Sequence, residues 1–290
     1  MSERRYLQPP EDPGPSRLAR NDAQPLLDGR LAVVTGGALG IGHGIARALA
    51  HHGARVLIVD VDEDAARAAA EAIGAAADVL VADVTDAASA ATIATTATRL
   101  GGADILVNNV GDFRPAGPFL DSTPEQWRRM YELNFGHVLA VTHALLPAMV
   151  ERRRGAILNV SSVEGLRGIP GNAVYGAMKA AVVSFTASLA AEVGQCGVRV
   201  NAIAPDFTDT PQTPMWASTD ERYADHVGKW VPAGRFGHVT DHGDAAVFLV
   251  SDQSAFVTGE TLRVDGGTLA APGWFRRDGT RFTNLPRPLS

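Results

Sequence analysis

Thr35-Gly36-Gly37-Ala38-Leu39-Gly40-Ile41-Gly42 is the stretch that decides the fold, because a strand-like run leads into it and a helix-like run leaves it. Leu31 to Val34 has the apolar composition of a buried strand, and Ile45 to His51 has that of a helix. Glycines in such a turn adopt positive φ and let the backbone approach an anion. The first N–H groups of the helix have no intrahelical partner and carry a partial positive charge. The sequence therefore predicts a strand-turn-helix that holds phosphate.

Two alternatives exist for this turn: a tight strand-helix connection without a ligand, and a loop that binds a nucleoside triphosphate. Gly37 and Gly42 have the separation of a triphosphate loop. However, His43 and Gly44 stand where Lys and Ser or Thr would contact phosphate and Mg²⁺. A dinucleotide fits better than a triphosphate.

The next apolar run, Arg55 to Val59, ends on Asp60, close to the twenty-residue offset at which an acid meets the adenosine ribose. A carboxylate there accepts hydrogen bonds from both ribose hydroxyls and repels a 2′-phosphate, and Leu39 offers no cation to a phosphate. NAD is therefore the expected cofactor. From Leu31 onward strand-like and helix-like segments alternate, which predicts an α/β fold: a single doubly wound, Rossmann-type parallel sheet with helices on both faces.

The chain divides into one domain with two irregular ends. Residues 1–24 combine prolines with charges of both signs, which predicts a disordered or loosely docked N-terminal arm. Residues 25–270 form the predicted Rossmann-type domain. Within it the long segment 206–237, which includes Trp216, Tyr223 and Trp230, predicts a substrate lid, with a packed surface helix pair as the alternative. The tail 271–290 is arginine-rich and aromatic, and it is too hydrophobic to be simply solvated.

Composition excludes several classes of partner. The net charge of −6 without a concentrated basic face argues against nucleic acid. The single cysteine, Cys196, suits a reducing compartment. We found no run of eighteen apolar residues and no signal segment, so a cytoplasmic protein without membrane contact is expected. No metal site is predicted.

Polar residues follow the predicted strands at the sheet edge where such folds bind ligands. Asn108, Asn109 and Gly111 end one strand, and Ser162 follows another. Asn134 lies inside a predicted helix from Thr123 to Glu151, where asparagine competes with the helical backbone; a solvated polar face is the simplest explanation.

Tyr175 and Lys179 are four residues apart and share one face of a predicted helix, Val174 to Val193. The chain has only two lysines, Lys179 and Lys229. With four tyrosines, a Tyr-x-x-x-Lys pair arises by chance in roughly 3% of such sequences.

Taken together and in order, these parts resemble the classical short-chain dehydrogenase/reductases over about Leu31 to Gly267. The shared motifs are the glycine turn, Asp83-Val84, Asn108-Asn109-Val110-Gly111, Asn134, Ser162, Tyr175-x-x-x-Lys179 and Val264-Asp265-Gly266-Gly267. The chain departs from the family at Val110, where alanine is usual, and at Asp206, where glycine usually follows Pro205. Glu164 also stands where many relatives carry a small residue.

The resemblance implies roles for individual residues. It assigns catalysis to Asn134, Ser162, Tyr175 and Lys179. It assigns cofactor binding to Gly36, Gly40, Ile41, Gly42, Asp60, Asp83, Val84, Asn109, Gly111, Tyr175, Lys179, Thr208 and Thr210. Substrate contacts are expected from Ser162, Tyr175, Glu164 and Asp206. A homo-tetramer or homo-dimer is expected, as is usual among relatives.

The implied chemistry requires a lowered pKa for the phenol of Tyr175. As a base half-ionised at neutral pH, its phenol needs a pKa depression of about three units, on the order of 4 kcal/mol, which Lys179 and a positive nicotinamide ring could supply. The expected reaction is NAD-dependent interconversion of a secondary alcohol and a ketone, with a medium-sized apolar substrate of terpenoid, steroid or polyketide type. A polyol or amino-bearing alcohol, a non-redox reaction and a cofactor-binding protein without activity remain alternatives.

Overall fold

The computed structural model describes residues 14–16, 18, 25–215, 227–271, 273, 275–278 and 281–283. Within these ranges the main sheet has seven strands, all parallel, in the order β3-β2-β1-β4-β5-β6-β7. Successive strands are added towards one edge of the sheet from β1 to β3 and towards the other edge from β4 to β7. The point where this order reverses, between β1 and β4, is where such sheets bind a ligand. The strands are β1 Leu31–Thr35, β2 Arg55–Asp60, β3 Ala77–Val81, β4 Ile105–Asn108, β5 Gly155–Val160, β6 Val198–Pro205 and β7 Thr261–Val264.

Helices cover both faces of the sheet, as predicted. The buried side chains alternate along β1, so that Val34 packs on one face and Val33 on the other. Helices α1, α2 and α8 cover the first face, and α3, α5 and α6 cover the second. The helices are α1 Gly40–His51, α2 Glu63–Ile73, α3 Ser89–Arg99, α4 Pro124–Tyr131, α5 His137–Glu151, α6 Ala173–Val193, α7 Val227–Trp230 and α8 Val239–Val250.

The helix predicted from Thr123 to Glu151 is interrupted by a π-helical turn. It starts with a capping box, in which Thr123 and Gln126 exchange hydrogen bonds, and Pro124 occupies the first turn. The π turn spans Glu132–Gly136 and separates α4 from α5. It places Asn134 at zero exposure, so the explanation by a solvated polar face is wrong. π turns occur frequently at functional sites, because the extra residue redirects a side chain.

The described part of the N-terminal arm is docked on the domain. The Ser16 hydroxyl donates to Asp244 Oδ1 at 2.6 Å, and Thr240 Oγ1 donates to the Gly14 carbonyl at 3.0 Å. Leu18 packs against the core on the same face. The rest of the predicted arm, residues 1–13, 17 and 19–24, lies outside the described residues.

The segment after β6 contains its own small apolar cluster. Val227, Val231 and Phe236 are buried together, with Met215 against them. Trp216 and Tyr223, two of the predicted lid aromatics, lie outside the described residues. In the tail, β8 Phe275–Asp278 and β9 Arg281–Thr283 form an antiparallel pair, and β8 lies beside α7. The tail therefore reaches the predicted lid.

Two helical spans, Pro124–Glu151 and Ala173–Cys196, have the length and apolar composition of membrane-crossing helices. This differs from the expectation that the sequence has no such segment. Both spans bury one side on the sheet, for example at Met149 and Val193. Core helices of an α/β fold meet the same criteria, so composition and length alone carry little weight here.

Candidate active site

The glycine turn forms a cradle at the carboxyl end of β1. Gly36 and Gly40 have φ values of 63° and 56°, which side chains adopt rarely. A Cβ at Gly42 would lie 2.0 Å from the Gly36 carbonyl oxygen, so only glycine fits there. Among the described residues, no side chain caps the N-terminus of α1, and no acidic residue lies in its first turn. An uncapped helix start under a glycine turn fits a pyrophosphate.

Two polar side chains hold this cradle in place. Asn109 Nδ2 donates to the carbonyl oxygens of Thr35 at 3.1 Å and Gly36 at 3.0 Å. Asp60 Oδ2 accepts from the Ala38 N–H at 3.1 Å. The side chain of Asn109, predicted to line the cofactor cleft, is therefore used to brace the turn. The other carboxylate oxygen of Asp60, Oδ1, accepts from the Asp62 N–H at 3.2 Å.

Two predicted catalytic groups, Asn134 and Lys179, meet at Gly111. A Cβ at Gly111 would lie 2.9 Å from both Asn134 Oδ1 and Lys179 Nζ, so the absence of a side chain there lets these groups approach. Lys179 is buried and donates from Nζ to the Val160 carbonyl oxygen at 3.0 Å. The same Nζ lies 5.7 Å from the ring centroid of Tyr175. The structure thus brings Asn134, Tyr175 and Lys179 together, as the resemblance implied.

A buried polar chain under this site was not foreseen. Asn108 Nδ2 donates to Thr142 Oγ1 at 3.0 Å and to Asn159 Oδ1 at 2.9 Å. Asn159 Nδ2 in turn donates to Thr186 Oγ1 at 2.9 Å. The chain links α5, β4, β5 and α6 directly below the catalytic edge. The only sequence signal was the asparagine at the end of each of two strands, in registered positions of β4 and β5.

The protonation state of Tyr175 differs from the expectation. Burial raises the pKa of Tyr175, the Glu164 carboxylate raises it further, a hydrogen bond with Ser162 lowers it, and Asp112 raises it. Burial outweighs the expected depression by the Lys179 ammonium, which lies 5.7 Å from the ring centroid and donates to the Val160 carbonyl oxygen. The protein alone therefore keeps Tyr175 as a neutral phenol at pH 7.

The cation and the histidine near this phenol are also shifted by burial. Burial lowers the pKa of Lys179 to about 8, so the ammonium form still predominates at pH 7. Burial, and then the charge of Lys179, lower the pKa of His137 to about 4. Neutral His137 contacts the Val110 carbonyl oxygen through Nε2 at 3.0 Å, so its Nε2–H is the donor. His137 was not identified from the sequence.

Asp206 is held by the protein itself. Its Oδ2 accepts from Arg167 at 2.9 Å and from Thr268 Oγ1 at 2.5 Å, and its side chain is 7% exposed. The carboxylate thus joins the end of β6 to the loops after β5 and β7. The carboxylate is therefore neither turned to solvent nor unpaired, although the sequence predicted that it contacts the substrate.

Glu164 follows Ser162 in a short 3₁₀ turn, and its N–H donates to Ser162 Oγ at 3.2 Å. Its side chain is partly buried. Burial raises the pKa of Glu164, the charge of Asp206 raises it further, and Arg167 lowers it. Its Oε2 is buried without a hydrogen-bond partner in the described part of the chain.

The two threonines predicted to bind the cofactor, Thr208 and Thr210, have different surroundings. The Thr208 hydroxyl donates to the Asp206 carbonyl at 2.8 Å and accepts from His242 Nε2 at 2.8 Å, so it has no donor left for a ligand. Thr210 lies against the cradle, because a Cβ at Gly40 would be 3.5 Å from Thr210 Cβ.

The adenine end of the predicted site lies in the turn after β3. β3 ends at Val81, so Asp83 lies two residues beyond the strand. Hydrogen bonds from the Thr85 hydroxyl and N–H lower the pKa of Asp83. Val84 is buried in the core, and Ile41 is partly buried against the opposite core face.

A small cleft opens beside Tyr175. Its walls are the loop after β4 and the start of α6, and they include Phe119 and Trp127, which stack at 5.5 Å. Phe113 meets the Tyr175 ring edge to face at 6.3 Å. The sequence predicted apolar substrate contacts only from the segment 206–237. It contained no indication that aromatic residues after β4 lie near Tyr175.

Comparisons with known proteins agree with this geometry. The sequence model of a family described as enoyl-(acyl carrier protein) reductase matches residues 36–268. The chain is 39% identical over 241 residues to the 3-oxoacyl-[acyl-carrier-protein] reductase of Escherichia coli K12, covering 83% of this chain and 97% of that protein.

Two solved structures extend the comparison. The 3-ketoacyl-(acyl-carrier-protein) reductase of Brucella melitensis, complexed with NADH, is 35% identical, with 83% and 99% of the two chains covered and a TM-score of 0.76. A putative NAD(P)-dependent gluconate 5-dehydrogenase of Beutenbergia cavernae, with bound NADP, is 36% identical, with 85% and 100% covered and a TM-score of 0.78. The chain therefore spans nearly the whole length of these relatives.

Proposed function

The chain belongs to the short-chain dehydrogenase/reductase family of oxidoreductases, which bind a nicotinamide cofactor, and we propose that it uses NAD to interconvert a secondary alcohol and the matching ketone. One observation carries the proposal. The Ser162 hydroxyl is close enough to the phenol of Tyr175 to lower its pKa, the Lys179 ammonium lies 5.7 Å from the ring centroid, and a side chain at Gly111 would crowd that ammonium. A phenol, a hydroxyl and a cation at one point can bind an alcohol oxygen and move its proton.

Tyr175 exchanges a proton with the substrate oxygen, and Ser162 hydrogen-bonds the same oxygen. When bound, the nicotinamide accepts or donates the hydride, and its positive oxidised form favours ionisation of a nearby phenol. Tyr175 is protonated in the protein alone, so it is ready to give a proton to a ketone oxygen. In alcohol oxidation it takes that proton, which requires added positive charge near the ring. Ser162 Oγ holds the same oxygen by a hydrogen bond.

Lys179 and Asn134 support this proton transfer. Lys179 is mostly charged at pH 7, and its attraction for a negative phenolate grows in a buried site. Asn134 fixes the strand end beside Lys179. We assign both residues to catalysis.

Cofactor binding follows from the cradle. The backbone N–H groups at the start of α1 would bind the pyrophosphate, and the remaining cofactor residues are Gly36, Gly40, Ile41, Gly42, Asp83, Val84, Asn109, Gly111 and Thr210. Asp60 would accept from the ribose hydroxyls. A carboxylate that also braces the turn cannot move aside for a 2′-phosphate, which supports NAD over NADP.

The cleft beside Tyr175 supports a medium-sized apolar substrate. A second candidate is a 3-oxoacyl thioester, favoured by the identity to the Escherichia coli reductase. We also propose a cytoplasmic homo-tetramer or homo-dimer. Support comes from α6, whose outer face carries exposed small residues at Ala177, Ala180, Ser184 and Ser188 that let a second helix approach closely.

The test is a turnover assay with NAD and NADP against apolar secondary alcohols, polyols, amino alcohols and acetoacetyl-coenzyme A with the reduced cofactors. We expect turnover with NAD and an apolar ring alcohol. Preference for the thioester by about tenfold or more in kcat/KM would replace the first proposal by the second. Binding of NAD without turnover of any class would contradict both.

A further inference from the structure

Glu164 occupies a fixed position next to the reacting groups. Its backbone turn packs on α6, since a Cβ at Gly176 would lie 3.0 Å from the Glu164 carbonyl oxygen. A Cβ at Gly165 would lie 2.7 Å from the Lys179 carbonyl carbon. Glycine at both positions lets the turn seat directly on the helix between Tyr175 and Lys179. The Glu164 backbone therefore has little freedom relative to the catalytic pair.

The Glu164 carboxylate lies near enough to Tyr175 to raise the pKa of that phenol, second only to burial. The nearest cation does not neutralise it by contact. Arg167 directs its Nη2 to Asp206 at 2.9 Å, and Thr268 binds the same carboxylate oxygen. In the described part of the chain, the buried Oε2 of Glu164 has no hydrogen-bond partner.

A buried carboxyl oxygen without a partner is costly, so a bound group that pairs with it gains affinity. A purely apolar substrate would leave this oxygen unpaired. The cleft on the other side of Tyr175 includes the aromatic rings of Phe119 and Trp127. The site therefore combines an apolar side with one unsatisfied acceptor close to Ser162.

We propose that Glu164 is a specificity-determining residue that hydrogen-bonds a second hydroxyl group of the substrate, one or two carbons from the carbon that is oxidised. This rests on the proposed alcohol-ketone reaction. The substrate class is then an apolar ring or chain bearing two neighbouring hydroxyl groups, or the corresponding hydroxyketone. Sites that hydrogen-bond a substrate hydroxyl discriminate strongly against analogues that lack it.

The experiment compares cis-indane-1,2-diol with 1-indanol, which share an apolar ring and differ by one hydroxyl. Binding of each to the NAD-loaded protein is measured by calorimetry, and kcat/KM is measured with NAD. We expect the wild type to favour the diol by about tenfold or more in both quantities. Glu164→Ala should reduce that ratio to about one, and Glu164→Gln, which keeps a hydrogen-bonding oxygen, should retain part of it.

Glu192→Ala, on the exposed side of α6, is the matched control and should leave the ratio unchanged. Thermal unfolding of each variant checks that the fold is intact. Equal affinity of the wild type for the two compounds, or a diol preference that survives in Glu164→Ala, would overturn the proposal. Preferential diol binding without hydride transfer would support the role of Glu164 while contradicting the proposed reaction.

Discussion

The side-chain amide of Asn134 pairs with both backbone groups of Asp112: its Oδ1 accepts from the Asp112 N–H at 3.1 Å, and its Nδ2 donates to the Asp112 carbonyl at 2.9 Å. Nδ2 also donates to the Met130 carbonyl at 3.1 Å. A mid-helix asparagine thus anchors the loop after β4 to the helix. This fixes Gly111, one residue earlier, against Lys179.

Because Asn134 both donates to and accepts from Asp112, replacing it by aspartate should remove only half of this pairing. Asn134→Asp keeps the acceptor but removes the donor, which leaves the Asp112 carbonyl buried opposite a carboxylate. The free energy of unfolding should fall by about 1–3 kcal/mol, and kcat should fall by at least about tenfold. Chemical denaturation and steady-state kinetics measure both. An aspartate variant with wild-type stability and kcat would show that the bridge is dispensable.

Asp60 should control cofactor choice. Asp60→Ala removes the carboxylate that repels a 2′-phosphate, so the ratio of kcat/KM for NAD to that for NADP should drop by about tenfold or more. Affinity for both cofactors should also weaken, because the variant loses the hydrogen bond from Ala38 N that braces the turn. Wild-type kinetics that already favour NADP would refute this role of Asp60.

Two buried histidines should make the fold acid-sensitive. Burial lowers the pKa of both His137 and His242 from 6.5 to about 4, with Asp241 and His238 facing His242 and Lys179 and Asp83 facing His137. Between those values the unfolded chain binds protons that the folded chain does not, so stability falls as pH falls through 6.5 towards 4. The loss from pH 7 to pH 5 should be about 2 kcal/mol per histidine.

Urea denaturation of His242→Gln at the two pH values measures this dependence. The variant should lose roughly half of the pH dependence assigned to the two histidines. His143→Gln, at an exposed position, is the control and should keep all of it. An identical pH dependence in the wild type and His242→Gln would rule out a buried neutral histidine at 242.

The outer face of α6 should be an interface between copies of the chain. An arginine at the exposed Ala180 would hold two helices apart, because small residues there permit close approach. Ala180→Arg should shift sedimentation from tetramer or dimer towards monomer at micromolar concentration. Ala72→Arg, on the exposed side of α2, should not. A monomeric wild type would contradict the proposed assembly.

The fold was predictable because its signals are local. A glycine turn between a buried strand and a helix, and the repetition of that pattern, predict the parallel sheet directly. The proximity of Tyr175 and Lys179 was also predictable, since the two residues share one helix, and Ser162 was expected at the same sheet edge because it follows a strand. Asn134 was recognised as unusual for a helix, but its burial depends on a π turn that no local preference encodes.

The remaining site features depend on contacts between distant segments. Asp206 meets Arg167 and Thr268 only after three loops converge, and Thr208 is engaged by His242 from α8. The phenol of Tyr175 was expected to be acidic from its neighbours' charges. Its burial, which the sequence does not reveal, outweighs them. Composition likewise gave no sign that the tail would pair with itself.

The proposed alcohol-ketone reaction depends most directly on the phenol of Tyr175 as the group that transfers the proton. Tyr175→Phe removes one oxygen and little volume, so the fold and the NAD affinity measured by calorimetry should stay close to wild type. Turnover of an accepted alcohol with NAD should fall by about 10²–10⁴-fold across the pH range. Lys179→Ala should instead weaken both turnover and NAD affinity. A Tyr175→Phe enzyme that keeps activity within about tenfold of wild type would mean that another group transfers the proton.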